Sequence, residues 1–259
     1  MQNFRKYGKP PYAVVLVHGG PGAAGSMEAV AKNISGHRGV IEALQTRYSI
    51  ERLLVELRGV VTLQGHPPVT LIGHSWGAWL SILFASKYPV QVKKLILVAS
   101  GPLEKKYASK VMETRMERLG EKDATRLSGL IHRINAAPVS EKDQIFREMA
   151  ELIRKADVYQ PDGSTYTDTD FEYNIYESVW AEAERLRSSG RLLRHASRLD
   201  CPVTVIHGDH DPHPYPGIKY PLEKTVKDFR FVLLEKCGHE PWIEMSAKDS
   251  FFAILEREL

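Results

Sequence analysis

The feature that most constrains this chain is the pentapeptide Gly73-His74-Ser75-Trp76-Gly77, which lies between two apolar runs. Residues 69–72 before it are mostly β-branched, as in a strand, and residues 78–85 after it have the character of a buried helix. A serine flanked by glycines at such a junction predicts a sharp strand-to-helix turn, because only small neighbours leave room for it. The following helix directs its partially positive end at negative charge that develops nearby. Ser75 is therefore a candidate nucleophile in an α/β fold.

A glycine-rich loop precedes this turn in the chain. Residues 11–17 form a continuous apolar run that is typical of a strand buried on both faces. The run leads directly into His18-Gly19-Gly20-Pro21-Gly22, whose glycines let a bound molecule approach the backbone N–H groups closely. Taken alone, the loop is an ordinary strand-to-helix turn. Together with a downstream serine turn, it predicts one wall of an oxyanion hole.

A base and an acid for Ser75 are predicted after two later strands. His239 follows the apolar run 230–234, and Asp209 and Asp211 follow the run 202–206. The carboxyl ends of parallel strands meet at one edge of a sheet, so these residues can converge on Ser75. A serine hydroxyl needs such a base, and the base needs an acid that orients it. We prefer Asp211 as the acid because it lies on the loop, and we expect Asp209 to brace the turn.

Other histidines allow competing interpretations. His74 is next to Ser75 but is expected to point away from it, and His18 is expected to be structural. A metal site is the alternative for a dense group of ligand-type residues after the run 202–206, which comprises His207, Asp209, His210, Asp211 and His213. These residues alternate around a turn and no second histidine-rich segment accompanies them, so we expect no metal and no other cofactor.

The middle of the chain has a different character. Residues 103–199 are charged and helix-like and lack a strand-like run, which predicts an inserted helical subdomain divided by a turn at 160–165. We therefore expect a core of residues 1–102 and 200–259 that carries a cap of residues 103–199.

The segment before the serine turn is less regular. An amphipathic helix is predicted over residues 49–63, with Ser49 as its N-cap. Between residues 26 and 47 the pattern allows a short helix over 26–32, and a short strand or an irregular loop within 34–41.

Three aromatic residues of the cap share one helical face, namely Tyr173, Tyr176 and Trp180. Core packing within the cap is one interpretation, and the roof of a substrate pocket is the other. Nearby acidic residues are expected to form a solvated face.

Composition excludes several classes of function. The 259 residues suffice for one large α/β domain, and the 43% hydrophobic and 26% charged contents are ordinary for a soluble protein. The net charge is only +3 and the basic residues are scattered, so we expect no nucleic-acid partner. No apolar run could span a bilayer and residues 1–10 lack a signal-peptide core, so we expect a cytoplasmic protein without a membrane partner. Cys201 and Cys237 are expected roughly 20 Å apart, as free thiols.

Together these motifs resemble the α/β-hydrolase fold superfamily, and more narrowly the capped serine hydrolases related to proline iminopeptidases. The matching segments are residues 18–22, 73–77, 208–211 and 238–239. The resemblance implies a mostly parallel, doubly wound sheet with a helical cap, Asp211 as the acid, and an oxyanion hole of the backbone N–H groups of Gly20, helped by Gly19, and of Trp76. Two departures imply a shortened sheet. Only about ten residues precede the first buried strand, where the family has a hairpin, and only Arg38-Gly39 matches the family's turn after its fourth strand, which we therefore expect to be reduced or lost.

Three hypotheses for function follow. The first is a serine hydrolase that cleaves an ester or amide of a small or medium-sized substrate through Ser75, His239 and Asp211. The second is an aminopeptidase acting on short peptides, which would need carboxylates of the cap, such as Glu172, Glu177 and Glu182, to bind an ammonium group. The third is a non-catalytic ligand-binding protein on the same fold. Neither the substrate nor the oligomeric state follows from the sequence.

Overall fold

The computed structural model describes residues 2–163 and 169–259. The first half of the chain forms β1 (Phe4–Tyr7), β2 (Tyr12–Val17), β3 (Ala23–Ala24), α1 (Glu28–Ile34), β4 (Gly39–Ala43), α2 (Ile50–Gln64), β5 (Val69–His74), α3 (Trp76–Lys87) and β6 (Val92–Val98). The second half forms α4 (Val111–Ala136), α5 (Val139–Asp157), β7 (Asp170–Phe171), α6 (Tyr173–Ser188), α7 (Arg191–Ala196), β8 (Val203–Gly208), α8 (Pro216–Thr225), β9 (Phe229–Leu234) and α9 (Lys248–Glu258).

Seven of these strands form one twisted sheet in the order β1-β4-β2-β5-β6-β8-β9. Only the edge strand β1 runs antiparallel to its neighbour, so the sheet is mostly parallel as predicted. The central strands β5 and β8 are buried along their whole length, which explains their uninterrupted apolar sequences. Helices α2, α3 and α8 pack on one face of the sheet, and α1 and α9 pack on the other.

The fourth strand is present, which corrects the expectation that it is reduced or lost. Strand β4 is buried at all five positions and pairs with both β1 and β2. Its sequence signal is weak because Glu42 interrupts the apolar run. The carboxylate of Glu42 accepts hydrogen bonds from the Tyr7 hydroxyl at 3.0 Å and from the Met27 N–H at 3.1 Å, so the structure satisfies this buried polar group. In the described part of the chain, the single strand β1 precedes β2 in place of a hairpin.

Helix α2 confirms the prediction for residues 49–63. All six apolar residues of its stripe are buried, and the Ser49 hydroxyl caps the helix by accepting a hydrogen bond from the Arg52 N–H at 3.4 Å. Glu182 of α6 adds a second cap, because its Oε2 accepts from the Ile50 N–H at 2.9 Å.

The helices α4 to α7 lie between β6 and β8, and they are hereafter called the insert (residues 103–199). Helices α4 and α5 form an apolar cluster of their own, whereas apolar residues of α6 and α7 join the cluster of α2 and α3. The insert also holds a two-residue strand, which the sequence did not predict: β7 pairs antiparallel with β3. The boundaries of core and cap at residues 102 and 200 stay a prediction.

Other expectations concern single features. Cys201 and Cys237 are free thiols, as predicted. Among the helices that the structure describes, none has the length and apolar composition needed to span a bilayer. The predicted turn at 160–165 ends in Ser164 and Thr165, which lie outside the described residues.

Candidate active site

Ser75 occupies a strained turn between β5 and α3. Its backbone has φ 52° and ψ −116°, a conformation that costs a non-glycine residue on the order of 1–3 kcal/mol. The flanking glycines are required by close packing. A Cβ atom on Gly73 would lie 2.5 Å from the carbonyl oxygen of Gly77, and one on Gly77 would lie 2.0 Å from that of Val17. The turn therefore presents the Ser75 side chain to a cavity at the carboxyl edge of the sheet.

His239 and Asp211 meet at the same edge. The Nδ1 atom of His239 lies 2.8 Å from Oδ2 of Asp211. Since an ionised carboxylate only accepts hydrogen bonds, Nδ1 carries the proton and Nε2 of the neutral imidazole is left as an acceptor. Asp209 instead accepts a hydrogen bond from the Cys237 N–H at 3.2 Å and braces the turn between the two loops.

The Asp211 carboxylate is surrounded by imidazoles. Its Oδ1 lies 2.8 Å from Nδ1 of His213 and accepts the His213 N–H at 2.9 Å, and its Oδ2 lies 3.5 Å from Nε2 of His207. Burial acts to raise the pKa of Asp211, but electrostatic interactions with His239, His213 and His207 and the hydrogen bond from His213 outweigh this and hold it well below its ordinary value. Burial acts to lower the pKa of His239, and the Asp211 charge and hydrogen bond outweigh this and raise it.

His213 is a site residue whose place the sequence did not reveal. It lines the Ser75 cavity, and its burial lowers its pKa to about 4, so its imidazole is neutral at neutral pH. Of the residues considered for a metal site, Asp211 and His213 come together with His239, with ligand atoms within 4.8 Å of one another, and His207 Nε2 lies 3.5 Å from Asp211. Hydrogen bonds to Asp211 occupy the Nδ1 atoms of both imidazoles.

His74 lines the same cavity as Ser75 and contacts the loop that carries His239, and its expected orientation away from Ser75 stays a prediction. Its Nε2 lies 3.0 Å from the carbonyl oxygen of His239, and its ring packs against Trp242 with centroids 4.7 Å apart. Burial lowers its pKa well below the ordinary value, as does the neighbouring His239. The neutral ring thus donates from Nε2 and helps to place the backbone of His239.

The loop of residues 18–22 is held by a buried network. Nε2 of His18 lies 3.0 Å from the Leu44 carbonyl oxygen, and the Gln45 side-chain amide donates to the His18 carbonyl oxygen at 2.8 Å. Gln45 in turn accepts a hydrogen bond from the Trp76 indole at 2.8 Å. Gly20, with φ +50°, lines the Ser75 cavity together with Trp76. The two residues predicted to supply the oxyanion donors therefore line the same cavity as Ser75, and the backbone N–H of Trp76 lies at the N-terminus of α3.

A cavity of about 220 Å³ joins these residues to the insert. Ser75 and His239 both line it, and no hydrogen bond links these two side chains in the described structure. The insert contributes mainly apolar side chains, including Phe146, Met149, Ile153, Phe171, Tyr176 and Trp180. Each of the two interpretations of the aromatic face therefore holds for part of it. Tyr173 packs in the core of the insert, whereas Tyr176 and Trp180 roof the cavity, and Trp180 stacks on Trp79 of α3 at 5.8 Å.

The insert contacts both the loop that carries His239 and the glycine loop of residues 18–22. The carbonyl oxygen of Asp157, at the end of α5, accepts the His239 N–H at 2.8 Å, and its carboxylate binds Arg115 at 2.8 and 2.6 Å. On the other side, β7 pairs with β3, which directly follows the glycine loop. No local sequence pattern could identify Arg115 and Asp157, because they lie 42 residues apart and meet only in the folded insert.

Two buried carboxylates, those of Glu240 and Glu244, also connect the insert to the loop that carries His239. Glu240 binds Arg154 at 2.9 Å. Glu244 is fully buried and accepts three backbone N–H groups at 2.7–2.8 Å, from Gly238 and from Tyr159 and Gln160 of the insert. The insert therefore helps to form the site as well as cover it.

A serine in a strained strand-to-helix turn, facing an imidazole on a buried carboxylate across one cavity, defines a class of α/β enzymes. A model of the alpha/beta hydrolase fold family matches residues 12–245 of the chain. The chain therefore belongs to the α/β-hydrolase fold family, which confirms the resemblance and the fold class.

The relatives are named as hydrolytic enzymes. The chain is 23% identical over 231 residues to a monoacylglycerol lipase, ABHD6, of Bos taurus, covering 86% of this chain and 65% of the lipase. It is 33% identical over 101 residues to a 2-hydroxy-6-oxo-2,4-heptadienoate hydrolase of Pseudomonas putida, covering 34% of this chain and 37% of that protein. The matches thus span under two thirds of either relative.

A solved structure supports the architecture. The proline iminopeptidase of Mycobacterium smegmatis superimposes with a TM-score of 0.63 over 98% of this chain and 93% of that chain, at 16% sequence identity. At this identity the likeness concerns the fold alone.

Proposed function

We propose that this protein is a serine hydrolase that cleaves a carboxylic ester of a small or medium-sized substrate through an acyl-enzyme. The observation that carries the proposal is the 2.8 Å contact between His239 Nδ1 and Asp211, in a cavity that also exposes Ser75. This contact selects the imidazole tautomer whose Nε2 accepts a proton.

The reaction has two halves. In the first, the Ser75 hydroxyl attacks the carbonyl carbon while His239 Nε2 takes its proton. The tetrahedral intermediate collapses as His239 returns that proton to the leaving alcohol, which leaves an acyl group on Ser75. In the second half, His239 removes a proton from a water molecule that attacks the acyl carbon. The bond from the acyl carbon to Ser75 Oγ then breaks, His239 returns the proton to Oγ, and the carboxylic acid product is released.

Charge in the intermediate falls on the carbonyl oxygen. The backbone N–H groups of Gly20 and Trp76 are its donors, and each such donor typically contributes about 3–4 kcal/mol to the transition state. Asp211 remains ionised because its pKa is held low, so it stabilises the imidazolium that forms on His239.

The cavity favours an ester with an apolar part. The Phe146, Met149 and Ile153 side chains form a wall opposite Ser75 that matches hydrocarbon. The bovine relative is named a monoacylglycerol lipase, which supports an ester as the substrate.

An aminopeptidase finds less support. Among the described residues, the carboxylates that line the cavity are those of Asp157 and Glu240, and each already binds an arginine. Of the acidic residues considered for an ammonium site, Glu177 is exposed, Glu182 caps α2, and Glu172 is half-buried but is not among the described residues that line the cavity. The binding-protein hypothesis leaves the costly Ser75 turn and the buried Asp211 contact without a role.

The test is a Ser75→Ala variant assayed on p-nitrophenyl esters, beside aminoacyl arylamides. We expect kcat to fall by at least about 10³-fold with ester substrates and no preference for a free amine. Ser81→Ala is the matched control. Ser81 lies in α3, the helix that follows Ser75, and its hydroxyl donates a hydrogen bond to the Gly77 carbonyl oxygen at 2.8 Å. We therefore expect kcat of this variant to stay within about twofold of the wild type. Failure of a fluorophosphonate to label Ser75 in the folded protein would favour the binding protein. The cytoplasmic location stays a prediction.

A further inference from the structure

Ser75 also faces a second cavity, hereafter the side cavity, of about 150 Å³. It shares Ser75, Trp76 and His213 with the main cavity and extends beneath the insert to Arg187 of α6. Its walls include Trp79, Val111 and Met112. A substrate bound at Ser75 could therefore extend in two directions, one mainly apolar and one that ends at a guanidinium.

Arg187 is a largely buried cation whose Nε atom has no hydrogen-bond partner among the described residues. Its side chain is only 11% exposed, and its Nη2 donates to the Glu184 carboxylate. The guanidinium carbon lies 5.3 Å from the centre of the Trp79 ring, and the Nε atom is buried without a hydrogen-bond partner in the described residues. A buried donor without a partner is unfavourable, so a ligand that accepts a hydrogen bond from this guanidinium is favoured.

The other arginines at these cavities differ from Arg187. Arg115 binds Asp157, and Arg154 binds Glu240, and both of these carboxylates are at most 6% exposed. The partner of Arg187 is Glu184, whose side chain is 38% exposed and is therefore screened by water. Among the described residues that line the two cavities, Arg187 is the arginine whose charge no buried carboxylate balances.

We propose that the side cavity binds a carboxylate that the substrate carries a few carbons from the scissile ester, with Arg187 as its partner. This inference rests on the proposed function. A guanidinium binds a carboxylate through two parallel N–H···O bonds, which supplies both charge and direction. The volume holds about six non-hydrogen atoms, and the apolar walls match the short carbon chain between the two groups. The substrate class is thus the half-ester of a short dicarboxylic acid or an ester of a hydroxycarboxylic acid.

Two pairs of esters test the proposal, one for each side of the scissile bond. The first pair is mono-p-nitrophenyl glutarate and its methyl-capped diester, and the second is 4-butanoyloxybutanoate and its methyl ester. In at least one pair we expect kcat/KM of the wild type to favour the carboxylate by tenfold or more. Arg187→Met should remove that preference, so that kcat/KM for the carboxylate and for its neutral ester become equal within about twofold.

Two further variants isolate the role of the guanidinium. Arg187→Lys keeps the charge but not the paired donors, so it should retain part of the preference. Arg185→Met is the matched control, because Arg185 is exposed on the same helix, and it should retain all of it. Equal kcat/KM within both pairs, or a preference that survives in Arg187→Met, would overturn the proposal.

Binding without turnover separates this inference from the proposed function. Calorimetry with the Ser75→Ala variant should show binding of monomethyl glutarate or 4-hydroxybutyrate that is lost when Arg187→Met is added. No binding to Ser75→Ala, or binding that survives the addition of Arg187→Met, with wild-type esterase activity present, would refute the carboxylate site alone. Binding without any esterase activity would refute the hydrolase alone.

Discussion

Replacement of Asp211 by Asn is the sharpest test of the site. The carboxylate touches two imidazoles at 2.8 Å, and its Oδ2 holds the His239 proton on Nδ1. An amide can donate its own N–H to His239 Nδ1, which forces the imidazole proton onto Nε2, where it blocks acceptance from Ser75. The equivalent change in a Ser-His-Asp triad lowers kcat about 10⁴-fold, which corresponds to about 5.5 kcal/mol in the barrier.

Asp209→Asn is the matched control, two residues away on the same loop. The side chain accepts one hydrogen bond, from Cys237 at 3.2 Å, and the amide oxygen can still accept it. We expect a loss of at most about 1 kcal/mol in unfolding free energy and a change in kcat below about threefold. Stopped assays on a p-nitrophenyl ester and urea unfolding of both variants provide the measurements.

The pH profile supplies a second readout of the same change. His239 acts as a base only when neutral, so wild-type kcat/KM should fall as the pH decreases through the His239 pKa, which Asp211 raises above 6.5. Without the carboxylate, the residual activity of Asp211→Asn should persist to lower pH. The reasoning is refuted if Asp211→Asn keeps more than a tenth of kcat, or if Asp209→Asn loses as much.

Three further predictions concern stability. Gly77→Ala should destabilise the fold by more than about 4 kcal/mol, because its Cβ would lie 2.0 Å from a backbone oxygen. Gly59→Ala in α2, where a Cβ would meet nothing within 4 Å, should be neutral or stabilising by up to about 1 kcal/mol. Thermal unfolding measures both variants, and equal melting temperatures would contradict the packing argument. Ser49→Ala should cost about 1 kcal/mol in urea unfolding through loss of the α2 cap, and an unchanged midpoint would show that Glu182 suffices. Burial lowers the pKa of His18 and of His207, so the unfolded chain binds more protons than the folded chain below about pH 6.5. The free energy of unfolding should therefore fall as the pH decreases, by up to about 1.4 kcal/mol per pH unit for each histidine. Urea midpoints that do not change between pH 7 and pH 5 would contradict this.

The sequence by itself determined the features that local patterns encode. The glycines around Ser75 are required by contacts within the turn and with the adjacent strand, and so the pentapeptide shows them directly. The buried strands appear as apolar runs and α2 as an amphipathic stripe, because burial acts on neighbouring residues together. The order of serine, aspartate and histidine after successive strands then predicted which residues the sheet brings to one edge.

Only the tertiary structure decided what depends on distant partners. Strand β4 tolerates Glu42 because Tyr7 and Met27 lie close enough to satisfy its carboxylate. Asp211 contacts His239 and Asp209 does not, because only the Asp211 carboxylate lies within hydrogen-bond distance of the ring. That distance is set when the two loops pack together. Arg187 acquires its significance in the same way. Its sequence neighbourhood is an ordinary charged helix, and only folding places it at a cavity shared with Ser75, buried and with a donor left over. Such roles depend on contacts between residues that are far apart in the sequence, and a local sequence pattern therefore does not reveal them.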